Sequence, residues 1–361
     1  MTHVDEFLAR RERLAGALAA RQADALLVPA GPNVRYLSGF TGDNGALLLD
    51  GGQAILFTDP RFAIQAEQQV SCKVRICKGP LSDGVATALG RLAGARIGYD
   101  PGRMTCAEFR KLESRLPMKA SLEPLPGVVE EMRTIKSAAE MELIRRSVEI
   151  NSRAFEAAVK RVRPGMTERD LAAEIEYRMR RLGADKPSFD TIVAAGRRSA
   201  LPHAEPTGAR LGSGDLVVVD MGAFCAGYAS DMTRMLFLGA PGARVKRAYS
   251  AVLEAQLAAI DRVRAGVTAH QVDAAARRVL RGHGLDRAFV HSTGHGLGLE
   301  IHEPPRLGKR DKTILRPGMA VTVEPGVYLE GWGGIRIEDT VEVTETGCTI
   351  LTPTSKELRL I

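Results

Sequence analysis

The sequence predicts a protein of two α/β (α+β) domains, and three observations lead to that prediction. The chain has 361 residues, and since domains of about 150 residues are usual, two domains are expected. In the first third, short apolar runs alternate with helical patterns, which is typical of a layered α/β domain. A break containing proline and glycine then precedes a region in which similar segments recur in the same order.

Composition excludes several classes of protein. Apolar residues make up 45% of the chain and charged residues 26%, which is typical of a globular protein and not of a disordered one. No run of about 18 apolar residues is present, so we expect no transmembrane helix. Residues 1–20 carry charges throughout and predict an amphipathic helix instead of a secretion signal. The five cysteines are scattered without a CxxC pair, which favours a reducing, cytoplasmic location.

The net charge of +7 raises the question of nucleic-acid binding, and the arrangement of the charges argues against it. Basic and acidic residues are interleaved, as in residues 10–24, and form no basic block. Aromatic residues are only 5% of the chain, with Trp332 as the single tryptophan, which is too few for a base-stacking surface. We therefore expect a solvated basic surface, with neither a nucleic-acid nor a membrane partner.

The first domain is expected over residues 1–127. Apolar runs predict its strands, and the segments that follow them have helical patterns. Nothing in this region resembles a catalytic cluster, apart from polar residues within 36–42. The predicted strands cover residues 25–29, 45–49 and 54–58, and the predicted helices cover residues 61–69, 82–92 and 105–116.

A domain boundary is predicted within residues 124–136, where two prolines and a glycine interrupt the pattern. Ser137 and Glu140 then have the Ser-x-x-Glu spacing of a capping box, which predicts a long helix ending near Val162. The second domain is therefore expected over residues 137–361.

The second domain contains a diverged internal repeat. Residues 163–167 (RPGMT) are echoed by residues 264–268 (RAGVT), and each segment precedes a helical pattern. Further along, residues 211–220 are echoed by residues 315–324, and both apolar runs end in an acidic residue. Two echoes in the same order predict two related halves, with a shared site buried between them.

Each echoed strand continues into a predicted hairpin that carries two acidic residues. Asp220 and Asp231 flank one glycine-containing turn, and Glu324 and Glu338 flank the other. Residues equidistant from such a turn face each other, so two facing carboxylate pairs are expected. Exposed acids at hairpin ends are the alternative, but the apolar surroundings and the symmetry argue against it. Clustered carboxylates take up protons unless cations neutralise them, so two divalent metal ions would balance the four charges.

Three of the seven histidines lie on one glycine-rich segment, residues 291–302. They are His291, His295 and His302, and the glycines between them exclude a stable helix, so an HExxH-type helical site is not expected. The segment also has a weak similarity to a dinucleotide-binding loop, but its spacing differs from GxGxxG. Because the segment precedes acid-bearing strands, these histidines are predicted to bind metal or substrate.

Together these motifs resemble the pita-bread metallopeptidases, in the branch of Xaa-Pro aminopeptidases and Xaa-Pro dipeptidases (prolidases). The resemblance covers residues 137–361 and implies a pita-bread catalytic domain with a pseudo-two-fold internal repeat. Residues 1–127 resemble the creatinase-type N-terminal domain of the same branch. The motifs that carry the resemblance are VVDMG (218–222), SDMTR (230–234), GHGLGLEIHE (294–303), VEPGVY (323–328) and IRIEDT (335–340).

The resemblance assigns roles to individual residues. It implies contacts with the substrate and transition state for His203 and His302, and supporting roles for His291 and Arg336. Glu324 is expected also to move a proton toward the leaving nitrogen. The five metal ligands that the resemblance implies are all present: Asp220, Asp231, His295, Glu324 and Glu338.

Two further residues are expected to bind substrate, Tyr328 and Arg306. Some prolidases similar to this chain carry an arginine at the position of Arg306, and a guanidinium suits the free carboxylate of a terminal proline. The alternative is that Arg306 begins a solvated basic loop with Lys309 and Arg310.

The chemistry of the candidate ligands agrees with the resemblance. Four carboxylates and one imidazole suit Mn²⁺, Co²⁺ or Zn²⁺, of which we expect Mn²⁺. Two such ions about 3.5–4 Å apart can bind a water and lower its pKa toward about 7, which makes it a nucleophile.

We therefore expect a cytoplasmic, homodimeric, dinuclear metallo-exopeptidase whose substrate is a proline-containing peptide. It would hydrolyse the Xaa-Pro bond at the amino terminus of dipeptides or short peptides. The alternatives are a methionine-type aminopeptidase, against which residues 1–127 argue, and a creatine-type amidinohydrolase, against which the five ligands argue. An inactive binding relative is a further alternative, but the ligands together with His203 and His302 argue against it.

Overall fold

The structure, a computed structural model, describes residues 3–29, 31–51 and 53–361. The chain divides into two compact units, Met1–Arg133 and Thr134–Ile361. The first predicted helix is observed from His3, and its predicted residues Met1 and Thr2 lie outside the described residues. In the part of the chain that the structure describes, no helix has the length and apolar character to cross a membrane.

A six-stranded sheet forms the centre of the N-terminal unit, counting described residues only. The helices are α1 His3–Ala20, α2 Pro32–Ser38, α3 Ala63–Gln69, α4 Leu81–Leu89, α5 Cys106–Glu113 and α6 Val128–Arg133, and the strands are β1 Ala25–Val28, β2 Gly45–Asp50, β3 Gln53–Thr58, β4 Lys73–Ile76, β5 Arg96–Tyr99 and β6 Ser121–Pro124. The strand order is β4-β3-β2-β1-β5-β6, with β1 antiparallel to β2 and parallel to β5.

The three predicted strands of this unit are confirmed, but sequence reasoning missed three others. The confirmed strands β1, β2 and β3 lie at the centre of the sheet and are mostly buried. The missed strands β4 and β6 lie at its edges, have few buried residues and lack the continuous apolar run of a central strand. The helix predicted over residues 61–69 is divided into a 3₁₀ turn, Pro60–Phe62, and α3.

The C-terminal unit contains two helix pairs and a set of strands that the pairs cover. The helices are α7 Ala138–Val159, α8 Glu168–Arg181, α9 Ala243–Arg262 and α10 Ala269–Gly282. The strands are β7 Lys186–Pro187, β8 Ile192–Ala195, β9 Leu216–Met221, β10 Ala223–Cys225, β11 Tyr228–Ala229, β12 Met232–Phe237, β13 Gly294–Gly296, β14 Glu303–Leu307, β15 Ala320–Val323, β16 Gly326–Leu329, β17 Gly333–Arg336, β18 Asp339–Val343, β19 Cys348–Ile350 and β20 Arg359–Leu360.

Helix α7 begins with the predicted capping box. The Ser137 hydroxyl accepts a hydrogen bond from the Glu140 amide, and the Glu140 carboxylate accepts one from the Ser137 amide. The helix ends at Val159, three residues before the predicted end. Pro164 lacks an amide proton and disfavours the helical conformation at Arg163, so it limits how far this helix could extend.

The internal repeat is confirmed by matching hydrogen bonds in the two halves. The Gly165 amide donates to the Leu211 carbonyl over 2.9 Å, and the Gly266 amide donates to the Leu315 carbonyl over 3.0 Å. Helices α8 and α10 both begin with a threonine capping box. The two main sheets have the orders β20-β12-β9-β8 and β14-β13-β15-β18-β19, which confirms the predicted two-domain α/β architecture with an internal duplication in the C-terminal unit.

Strand β9 is buried on both faces, and its alternation directs Asp220 toward the shared region. Val217 and Val219 pack into the core of the first half. Leu216 and Val218 pack on the opposite face, into the core that contains the strands of the second half. Side chains alternate along a strand, so Asp220 lies on the same face as Val218.

The predicted pairing of Asp220 with Asp231 is wrong by two residues in register. In the sheet, Asp220 lies opposite Thr233. The turn residues are Ala226 and Gly227, with φ angles of 47° and 76°. Two residues with positive φ form the tight turn that suits a hairpin, so the midpoint lies one residue later than the sequence indicated. Asp231 lies two residues before Thr233 and is therefore diagonal to Asp220 on the same face.

The second predicted pair, Glu324 and Glu338, is confirmed by the register on both sides of it. Val323 pairs with Asp339, and Gly326 pairs with Arg336. The two glutamates are therefore equidistant from the turn. Each lies in the short gap between two strands of the hairpin.

We predict that Thr268→Ala lowers the free energy of unfolding of the C-terminal unit by about 1 kcal/mol, the usual cost of losing a helix N-cap. The Thr268 hydroxyl accepts a hydrogen bond from the Gln271 amide at the start of α10. Fluorescence of Trp332 during urea unfolding reports on this unit, because the chain has no other tryptophan. The exposed Thr346 makes the control Thr346→Ala, and equal stability of the two variants would contradict the capping role.

Candidate metal centre

A cavity of about 810 Å³ opens in the C-terminal unit and is lined by residues of both halves. Most of the predicted site residues line it, although they are separated by up to 135 positions in the sequence. These lining residues are His203, Asp220, Asp231, His291, His295, His302, Arg306, Glu324, Arg336 and Glu338.

The candidate metal ligands converge on one side of the cavity. Nε2 of His295 lies 3.5 Å from an Asp231 carboxylate oxygen and 3.4 Å from a Glu324 carboxylate oxygen. Ligand atoms of Asp231, His295 and Glu338 all lie within 4.8 Å of one another, which is close enough to hold one cation. Asp220 lies opposite Thr233 in the adjoining sheet and lines the same cavity.

Three buried carboxylate oxygens in this cluster have no hydrogen-bond partner within the described residues. They are Oδ1 of Asp220, Oδ1 of Asp231 and Oε1 of Glu338. Buried polar atoms in folded proteins nearly always have a partner, so three orphaned oxygens in one place require an explanation. Cations bound by these oxygens would provide it.

The electrostatics of the cluster also require positive charge. Burial, followed by the nearby Asp220 and Glu324, raises the pKa of Asp231 well above its ordinary value. Burial and the neighbouring Asp231 likewise raise the pKa of Glu338. Burial raises the pKa of Asp220 too, against the opposing effect of Arg336. The carboxylates therefore remain ionised together only when cations lie between them, and divalent ions with oxygen and nitrogen ligands fit this set.

The orientation of His295 fits a metal ligand. Its Nδ1 lies 3.0 Å from the Gly296 carbonyl oxygen. A carbonyl only accepts, so Nδ1 carries the proton in this hydrogen bond. In the neutral imidazole, the Nε2 lone pair is then directed at two carboxylates, which is favourable when a cation lies between them.

Glycines beside His295 allow its strand to fit between β14 and β15. A Cβ atom on Gly294 would lie 1.9 Å from the Thr322 carbonyl oxygen, and one on Gly296 would lie 2.2 Å from the Pro304 carbonyl oxygen. Only glycine can occupy either position without displacing the neighbouring backbone. The glycine-rich pattern therefore reflects close strand packing as well as the absence of a helix.

Arg336 holds the outer side of the carboxylate cluster. Its guanidinium donates to Asp220 over 2.6 Å, to the Thr233 hydroxyl over 3.0 Å and to the Tyr328 hydroxyl over 2.6 Å. The Thr233 hydroxyl in turn donates to Glu338 over 2.7 Å. The chain thus satisfies the outer oxygens of Asp220 and Glu338 and leaves their other oxygens for a ligand.

Tyr328 does not lie where the sequence prediction placed it. It is not among the described residues that line the cavity. Its hydroxyl is hydrogen-bonded to Arg336 and, over 2.9 Å, to Nε2 of His291. Nδ1 of His291 lies 2.7 Å from the Ser292 carbonyl and carries the ring proton, so the tyrosine hydroxyl donates to Nε2. Burial raises the pKa of Tyr328 to about 12, so it stays protonated and acts as a link between the two side chains.

The remaining candidates lie on the walls of the cavity. The His302 ring stands edge-on to the His295 ring, with the centroids 4.4 Å apart. Partial burial and the neighbouring His295 lower the pKa of His302, which favours the neutral imidazole. Arg306 is exposed, and its Nε donates to the Ser292 hydroxyl over 3.2 Å. His203 is exposed and also lines the cavity.

Sequence reasoning missed two features of the site. Thr233 follows directly from the correct hairpin register, because it is the residue opposite Asp220. The second feature is a buried ion pair between Lys136 and Glu303, with the side chains 1% and 3% exposed and Nζ 3.3 Å from the carboxylate. No local pattern connects residues so far apart, so this pair could not be predicted from the sequence.

Comparisons with known proteins agree with this geometry. The model of metallopeptidase family M24 matches residues 142–345, and the model of the creatinase/prolidase N-terminal domain matches residues 10–135. The Xaa-Pro dipeptidase of Pyrococcus furiosus is 36% identical over 97% of this chain and 99% of its own length.

Two solved structures are similar along nearly the whole chain. That of the Xaa-Pro dipeptidase from Bacillus anthracis has a TM-score of 0.94 and 38% identity, and the comparison covers 98% of this chain and 100% of the other. That of the X-Pro aminopeptidase from Thermotoga maritima has a TM-score of 0.89, 38% identity and the same coverage. The chain therefore belongs to metallopeptidase family M24 and is a metal-dependent peptidase with a creatinase/prolidase-type N-terminal domain.

Proposed function

We propose that the protein is a dinuclear exopeptidase that hydrolyses the Xaa-Pro bond at the amino terminus of dipeptides or short peptides. The observation that carries the proposal is the cluster of four carboxylates and one imidazole, with three buried oxygens left without a partner. The names of the full-length relatives support Xaa-Pro bonds as the substrate class. The cavity, at about 810 Å³, has the size of a site for a small ligand.

The five candidate ligands would hold two divalent ions, and we propose Mn²⁺ as the ion. His295 contributes nitrogen and the four acids contribute oxygen, which suits such an ion. When bound, the ions supply Lewis-acid polarisation of the scissile carbonyl and an acidified water. The ligands are Asp220, Asp231, His295, Glu324 and Glu338.

The residues around the ions would handle protons and the charge of the transition state. Glu324 lines the cavity beside His295, and it would take a proton from the nucleophile and deliver it to the leaving proline nitrogen. His302 and His203 line the cavity and would donate hydrogen bonds to the developing oxyanion. A neutral His302 has one N–H to donate.

Arg336, Tyr328 and His291 would orient these groups without contacting the reacting atoms. Arg336 is 3% exposed and donates to Asp220, and Tyr328 connects Arg336 to His291. A chain of satisfied hydrogen bonds holds each member in one orientation. Asp220 therefore keeps a single outer partner while its other oxygen faces the ligand site.

Dipeptides and longer peptides are both candidate substrates, because one similar structure is that of a dipeptidase and another that of an aminopeptidase. Arg306 favours dipeptides, since it lines the cavity and is free of any carboxylate bound to its guanidinium within the described residues. We also propose that residues 1–127 and 137–361 are the functional domains and that the enzyme is a cytoplasmic homodimer. The unpaired cysteines fit a reducing compartment.

We predict that Asp231→Ala or Glu338→Ala abolishes peptidase activity, because each removes a carboxylate from the centre of the cluster. Metal analysis of the purified variants should find well below two ions per chain. Glu330→Ala is the matched control, since Glu330 is an exposed glutamate in the turn of the hairpin that carries Glu338. Full activity with two bound ions in either ligand variant would refute the assignment.

We predict that His302→Ala lowers kcat by about 10²–10³-fold, the usual effect of losing an oxyanion donor. Metal content should stay at the wild-type level, because no ligand atom is removed. His270→Ala serves as the control, since His270 is exposed at the start of α10 and does not line the cavity. If metal content falls in proportion to activity, His302 is a ligand and the proposed division of roles is wrong.

We predict that Arg306→Ala lowers kcat/KM on an Xaa-Pro dipeptide by about tenfold to a hundredfold, the value of a lost hydrogen bond to a charged group. The loss on the matching Xaa-Pro-Xaa tripeptide should be much smaller, because its proline has no free carboxylate. Arg310→Ala removes an exposed arginine from the same segment and is the control. Equal small losses on both substrates would favour an aminopeptidase.

A further inference from the structure

One buried carboxylate, that of Glu168, joins the two ends of the loop that carries His203. Its Oε1 accepts a hydrogen bond from the Ala195 amide over 2.8 Å. Its Oε2 accepts from the Thr207 amide over 2.9 Å and from the Thr207 hydroxyl over 2.8 Å. The intervening residues, 196–206, are named here the His203 loop, and Glu168 closes this loop at its base.

Glu168 has an arginine partner that comes from the loop itself. Nε of Arg198 lies 3.1 Å from both carboxylate oxygens. The same guanidinium donates to the Glu205 carbonyl over 2.7 Å, which connects the early and late parts of the loop. The ion pair therefore holds the loop across its width as well as at its base.

Two features of its position allow the Glu168 carboxylate to be buried while it is charged. The residue is 0% exposed, and burying a carboxylate is unfavourable unless hydrogen bonds satisfy it. It lies at the first residue of α8, where the helix dipole favours negative charge. Loss of the Glu168 carboxylate would leave the amides of Ala195 and Thr207 without their acceptor, and breaking a buried contact of this kind is destabilising. The contact therefore holds the conformation of the His203 loop.

The middle of the His203 loop is held by separate contacts, on the side that faces the metal centre. The Gly334 amide donates to the Ser199 hydroxyl over 2.8 Å, and Arg336 donates to the Pro202 carbonyl over 3.2 Å. Ala204 is 4% exposed and packs against Ile192. With its neighbours held in this way, His203 remains exposed toward the cavity.

The second half of the catalytic unit holds its own histidine segment by the same kind of contact. Asp273 on α10 is 0% exposed and accepts from the Thr293 amide over 3.2 Å and from the Thr293 hydroxyl over 2.9 Å. Arg277 donates to Asp273 over 2.7 Å and also to the carbonyls of Phe289 and His291. Glu168 and Asp273 occupy different positions on the equivalent helices α8 and α10. In both halves, a buried carboxylate paired with an arginine fixes a segment that lines the cavity.

We propose that Glu168 is a positioning residue, whose buried carboxylate fixes the His203 loop so that His203 can contact the substrate. The inference rests on the proposed function, because the effect on activity requires His203 to act on the substrate. Glu168 itself is not among the described residues that line the cavity. Its effect on catalysis passes through the His203 loop, and chiefly through His203.

The activity test compares Glu168→Gln with wild type on an Xaa-Pro dipeptide, with metal content measured in each preparation. We expect kcat to fall by about tenfold to a hundredfold, the effect of misplacing a catalytic group by about 1 Å, with metal content unchanged. Asp170→Asn is the matched control, because Asp170 also lies in the first turn of α8 but contacts Thr167 and not the loop.

Double variants separate positioning from a general structural effect. In a His203→Ala background, Glu168→Gln should change kcat by less than about twofold, since residues that act through one another are not additive. In a His302→Ala background, the full loss should persist. A full loss in the His203→Ala background would overturn the proposal.

Limited proteolysis tests the same contact without using the peptidase activity. Trypsin cleaves after Arg197 and Arg198 once the loop opens, so Glu168→Gln should be cut there faster than wild type, as detected by mass spectrometry. Thr207→Val, which removes only one hydroxyl donor, should show a smaller increase and provides a test if Glu168→Gln does not fold. Unchanged cleavage in both variants would overturn the proposal, whereas failure of the proposed peptidase function would leave this result intact.

Discussion

Repulsion among four carboxylates in one buried place is the constraint on which the catalytic unit depends. Each half contributes two acids from one hairpin, and neither half alone contains the whole set. The protein's own hydrogen-bond donors satisfy only the outer side, where Arg336 donates to Asp220 and the Thr233 hydroxyl donates to Glu338. The inner oxygens are left to cations. Folding of the two halves against each other and metal binding are therefore linked through the same charges.

Much of the site could be predicted because its signals are local. An acid at the end of an apolar strand, as at Asp220, is hard to reconcile with a solvated surface, and the same pattern recurs at Glu324. Alternation along a strand then limits which way the side chain points. The register of the first hairpin was misjudged because Ala226 adopts a positive φ, a conformation that its residue type does not indicate. Because of this error, Thr233 is not identified from the sequence as the residue opposite Asp220.

The remaining features could not be read from local sequence because they depend on the tertiary fold. The ion pair of Lys136 with Glu303 and the contacts of Glu168 join residues that no spacing rule connects. Tyr328 is predicted to bind substrate, whereas the fold turns its hydroxyl toward His291. In the N-terminal unit, the edge strands β4 and β6 form by pairing with neighbours and not by their own apolar character.

The two-faced burial of strand β9 has a consequence for how the catalytic unit can evolve. Adjacent residues such as Val218 and Val219 support different cores, so substitutions one position apart damage different halves of the duplication. A fragment containing only one half would expose the opposite face of this strand, a flat apolar surface prone to aggregation. Each half of the C-terminal unit therefore depends on the other for the burial of this strand.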